Sequence, residues 1–153
     1  MTATNHALTG TAIGLLVSEP LLAIPIAFIS HYVCDAIPHF GISGKDFVTS
    51  SKFKKLLIAE AAICFLIVLS LFILKPQHWL VAIFCAFLAA SPDLLSINRF
   101  RRINNNLKWQ PNIYSRFSQA IQWFEKPIGS IVELTWLISA IIIILPLIGL
   151  VKT

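Results

Sequence analysis

The chain has 153 residues; 57% are hydrophobic, only 12% are charged and the net charge is +5, with a mean hydropathy of +0.80. Soluble domains carry roughly 25% charged residues, and half that share cannot coat a small protein in water. The composition excludes an ordinary soluble globule and predicts an integral membrane protein of one domain, residues 1–153.

The opening MTATNHALTG has neither the positive region nor the cleavage site of a secretory signal, so the first helix is expected to stay. The first apolar stretch, Ala7 to Ser18, has 12 residues and rises only about 18 Å. It reads as a short or partial span. Gly10 and Gly14 form GxxxG, which lets a neighbouring helix approach closely. Pro20 then starts a second helix, to Ile37, after almost no loop. Gly41 to Lys55 reads as a loop. A third helix is predicted from about Lys54 to Leu74, and a fourth from about Trp79 to Ile97. Only KPQH separates them, so they pair antiparallel.

Asn98 to Lys126 is polar and basic, and begins NRFRRINNN. Within it Ile113, Phe117, Ile121 and Phe124 recur at helical spacing, with Trp109, Tyr114 and Trp123 nearby. That pattern predicts an amphipathic helix in the headgroup region, or else a soluble helix capping the bundle. A last helix runs from about Pro127 to Val151, with Pro146 expected to kink it. The predicted fold is an all-α membrane bundle of about five spans, the first one short, plus the interfacial helix. Cys34, Cys64 and Cys85 lie in apolar segments without a CxxC pair and read as small buried hydrophobes.

If helices 1 and 2 form one hairpin and helices 3 and 4 another, the N-terminus, 41–55 and 98–126 share a side. Lys45, Lys52, Lys54, Lys55, Arg99, Arg101, Arg102, Lys108, Arg116 and Lys126 fall there, and Lys75 and Lys152 fall opposite. The positive-inside rule makes the basic side cytoplasmic, which in a bacterium places the chain in the inner membrane. The same face suits anionic lipid headgroups or phosphate esters. Since topology accounts for these charges, nucleic acid is not an expected partner.

On this topology the ionisable residues converge. His6 starts helix 1, and Asp35 and His39 end helix 2, with His31 one turn deeper. Asp93 lies near the end of helix 4, and Glu60 and Glu133 lie at a similar depth in helices 3 and 5. Each alone has an ordinary use as an interface residue, a cap or a packing donor. Together, at one depth, they point to a function, because ionised groups in a bilayer are costly. A metal ion relieves that cost by neutralising carboxylates and taking imidazole nitrogens as donors. His31 and Asp35 are i, i+4 on one helical face. His78 lies in the opposite loop and is expected to take no part.

NHALTG, SHYVCDAIPHF and the later SPD resemble a family of small bacterial membrane-bound metal-dependent hydrolases, and the HxxxD…H element is similar to one in zinc-dependent phospholipases C. The resemblance implies His6, His31, Asp35, His39 and Asp93 as ligands of a divalent metal, zinc first, then manganese or iron. It implies a hydrolase, and a site at headgroup depth meets lipid or lipid-linked phosphates and esters first. Glu133 or Glu60 is then a further ligand or the general base, and Arg99, Arg101 and Arg102 can hold a substrate phosphate. The alternative is a non-enzymatic metal-binding or ion-handling membrane protein.

Overall fold

The computed structural model describes residues 1–41 and 48–150. Lys45 and Lys152, which entered the count of basic residues on the two sides, lie outside them. The described chain is helical: α1 (Ala3–Leu16), α2 (Pro20–Ala36), α3 (Ser51–Leu74), α4 (Trp79–Leu94), α5 (Ile97–Asn104), α6 (Ile113–Ile121) and α7 (Ser130–Leu147), with a 3-10 turn at Pro127–Gly129 before α7.

Three helices are long and apolar enough to cross a membrane: Ser51–Leu74, the α4–α5 run Trp79–Asn104, and Pro127–Leu147. The expected five is corrected to these three. At about 1.5 Å per residue, the 17 residues of α2 and the 14 of α1 fall short of a hydrocarbon core about 30 Å thick. Shortness does not put α1 at the edge. It packs against α2, α3, α4 and α7, with the most extensive contact to α4.

The α1–α4 contact depends on small residues. Ala82, Cys85, Ala86 and Ala89 are buried along one side of α4. A Cβ on Gly10 would lie 2.2 Å from the Cys85 carbonyl oxygen, and one on Gly14 would lie 2.4 Å from Ala82 Cα. The GxxxG pair therefore sets the close approach, as the spacing predicts. Leu8, Leu15, Leu71, Ala82, Ala140 and Ile144 form the apolar core beside it. The cysteines are free.

Several boundaries differ from expectation, among them the start of α3 at Ser51, inside the expected loop 41–55. α1 begins at Ala3, so its polar TNH turn is helical. The start of the basic stretch after α4 is also helical, as α5. Pro92 lies inside α4, and the bonds Leu95 N–H to Pro92 O (3.1 Å) and Ser96 N–H to Asp93 O (3.0 Å) tighten the chain before α5. Pro146 sits one residue from the end of α7. Among the described residues the extended pairing is one parallel bridge between His39 and Glu125.

Candidate functional site

The polar residues predicted to share a depth do meet at one end of the bundle, where α1 starts and α2 and α4 end. They divide into two sets with different work.

The first set anchors α1. The first N–H groups of any helix lack partners inside it, and Thr2 gives α1 no side-chain cap. Carboxylates from two other helices take that role. Glu133, near the start of α7, accepts from Thr2 N–H (3.1 Å to each oxygen), the Thr2 hydroxyl (2.6 Å) and the Asn5 amide (2.9 Å). Glu60 of α3 accepts from Thr4 N–H (2.8 Å) and the Thr4 hydroxyl (2.6 Å). The positive end of the helix dipole favours both anions. This explains why a polar sequence can start a helix inside the bundle, and it holds the backbone that carries His6.

The second set is a cluster of His6, His31 and Asp93. Each offers one ligand atom, and these atoms lie within 4.8 Å of one another. The rings of His6 and His31 stack with centroids 4.0 Å apart. Both are nearly fully buried, at 1% and 2% exposure, whereas the Asp93 side chain is 39% exposed. The cluster is therefore open on the Asp93 side.

Hydrogen bonds define the imidazoles. His31 Nδ1 lies 2.8 Å from the Ala89 carbonyl. A carbonyl only accepts, so Nδ1 carries the hydrogen and the neutral ring has a bare Nε2. That Nε2 faces Asp35 Oδ2 at 3.4 Å and Asp93 Oδ1 at 3.9 Å. His6 Nε2 lies 3.1 Å from Asp35 Oδ1, and His6 Nδ1 is buried without a hydrogen-bond partner.

Asp35 borders both histidines. Its Oδ1 also meets the Met1 amine, and its Oδ2 accepts from the Gln122 amide at 2.9 Å. His39 is set apart. It is 2% exposed, its Nδ1 donates to the Ile37 carbonyl at 2.8 Å, and its backbone pairs with Phe124 and Lys126. Gly129 permits that seat, since a Cβ there would lie 2.1 Å from the His39 carbonyl. His78 lies at the start of α4, away from this end.

α6 covers the site. Gln122 reaches Asp35, and Trp123 Nε1 donates to the Ala36 carbonyl at 2.9 Å. Phe117 packs on Tyr32 of α2 (5.5 Å), and the Tyr114 hydroxyl donates to the Pro92 carbonyl at 3.0 Å. Burial pushes the Tyr114 phenol up to about 12, so it keeps the proton it donates. Ile113, Phe117 and Trp123 remain exposed. The helix thus packs on this end of the bundle and leaves an apolar face exposed.

Of the expected ligands, the fold brings together His6, His31 and Asp93, with Asp35 in hydrogen-bond contact and His39 beside the α6–α7 junction. Arg99, Arg101 and Arg102 lie on α5 beyond Asp93. Gln122, Thr2, Thr4 and Asn5 escaped the sequence reading, because neutral polar residues near helix ends have no pattern that names a distant partner. No family model, curated protein or solved structure matches the chain.

Proposed function

We propose that this is a membrane-embedded metal-dependent hydrolase acting on a lipid or lipid-linked phosphate or ester. The observation that supports this most is the His6–His31–Asp93 group, whose two imidazoles are buried, with the Nε2 lone pair of His31 turned toward two carboxylates. Two imidazoles and a carboxylate fit a zinc site that keeps one position open. The partnerless His6 Nδ1 agrees with a missing electrophile nearby. When bound, zinc would lower the pKa of a water and polarise the attacked phosphoryl or acyl group.

The chain's own residues do the positioning. The Ala89 carbonyl fixes the His31 tautomer, a common outer-shell device at metal-bound imidazoles. Asp35 orients His6. Glu60 and Glu133 act here as positioning residues that hold the first turn of α1. Access from the Asp93 side, beneath a helix with an apolar outer face, suits a substrate held in a bilayer surface. We place this end at the cytoplasmic face of a bacterial inner membrane, on the charge distribution. Labelling of cysteines at positions 75 and 108, in a cysteine-free background, should then come from opposite sides of the membrane.

The test is elemental analysis of the purified protein, joined to hydrolysis assays on phospholipid and lipid-linked phosphate. About one zinc per chain is expected. His31→Ala and Asp93→Asn should each lose metal and activity together, whereas His78→Ala should lose neither. Full metal content in both cluster variants would sink the site. Bound metal without hydrolysis would favour the non-enzymatic reading. A metal-free knot is favoured by one observation, that Asp35 is already tied to the Met1 amine, His6 and the Gln122 amide; wild-type protein that never takes up metal would establish it.

A further inference from the structure

A second polar feature lies beyond the cluster, where α5 ends. The chain turns back on α5 there. Leu107 N–H donates to the Arg102 carbonyl at 2.9 Å, and Arg102 Nε donates to the Lys108 carbonyl at 3.1 Å. The turn borders an open cavity of about 480 Å³ lined by Val48, Leu107, Lys108, Trp109 and Arg99, among others. No carboxylate lines it among the described residues.

Arg99 is built into this cavity. Its guanidinium lies over the Trp109 ring at 5.2 Å, which holds the plane in place. Its Nε is buried without a hydrogen-bond partner. A buried charged donor left unsatisfied is costly, and one set beside a lysine in a cavity that no described carboxylate lines calls for an anion. A guanidinium stacked on one face keeps its edge for forked hydrogen bonds to a tetrahedral oxyanion. The cavity sits at the end of the apolar run Trp79–Asn104, where a bilayer passes from hydrocarbon to headgroups.

We propose that Arg99, Lys108 and Trp109 form a binding site for a phosphate ester, separate from the His6–His31–Asp93 cluster. Arg99 supplies the forked donors and Lys108 a second positive charge. Trp109 holds the guanidinium and presents its ring at headgroup level. The ligand can be a phospholipid headgroup or a soluble phosphate. This site stands whether or not the cluster binds metal.

The experiment titrates the full chain in detergent with short-chain phosphatidylglycerol, and separately with glycerol 3-phosphate, following bound ligand by native mass spectrometry. Arg99→Gln should weaken binding at least tenfold. Arg99→Lys, which keeps the charge but loses the fork and the stack, should weaken it at least threefold. Arg116→Gln, a basic control outside the cavity, should stay within twofold of wild type. Binding of both ligands identifies the phosphate itself as the recognised group, and binding of the lipid alone identifies a headgroup site. Arg99→Lys and Arg99→Gln binding within twofold of wild type would overturn the proposal, as would failure of both ligands to bind.

Discussion

α1 and α3 are opposites. α3 has 24 residues, mostly apolar, yet only Leu71 is buried. α1 has 14 residues, and its buried set includes Thr4, Asn5, His6 and Thr11. In water the apolar helix would be the core and the polar one the surface. α3 is long and apolar enough to cross a membrane, and in a bilayer lipid would solvate its side chains as well as a protein interior does, so burial would gain little. Polar groups have no such outlet and must find partners inside. In this chain the most apolar long helix is the exposed one, and the first turns of the buried α1 are polar.

The sharpest way to break that contrast is to remove a hub of the polar interior. Asp35→Ala strands His6, Gln122 and the Met1 amine. Breaking a buried ion pair costs roughly 3–5 kcal/mol, so the variant should unfold in detergent well below the wild-type midpoint. Asp35→Asn should fall between the two.

Gly14→Leu attacks the same centre through packing. A Cβ already meets Ala82 backbone at 2.4 Å, and overpacking costs about 1–3 kcal/mol or more. Thermal unfolding should show a clear drop, which Gly14→Ala should share in part.

Glu60→Gln tests the remote cap. It keeps an acceptor for Thr4 but loses the charge at the helix N-terminus, worth about 0.3–1 kcal/mol and up to about 2 when partly buried. Hydrogen exchange of the first α1 amides should rise, with little change in the rest of the bundle. Unchanged exchange there would refute the capping role.

Ile58→Val on α3 is the smallest expected effect. Ile58 is 69% exposed, and a surface change of this kind stays within about 0.5 kcal/mol. A large loss would mean that α3 is covered by protein and that the contrast with α1 is misdrawn.

Much of this was legible in the residues. Apolar run lengths located α2, α3, α4 and α7 to within a few positions, because helical hydrogen bonding in lipid is local and leaves few choices. GxxxG announced a close contact, though not that Ala82 and Cys85 would fill it. Helical spacing found α6, and the shared depth of His6, His31 and Asp93 followed from short connections. Tertiary structure alone separated the acids into those that hold α1 and those that meet the histidines. Depth is one coordinate, set by position along each helix. Azimuth and partner depend on how four helices pack around α1, and no local pattern encodes that. For the same reason the sequence could list Arg99 as a basic residue near a helix end, but only the fold set it on Trp109 with a donor still unpartnered.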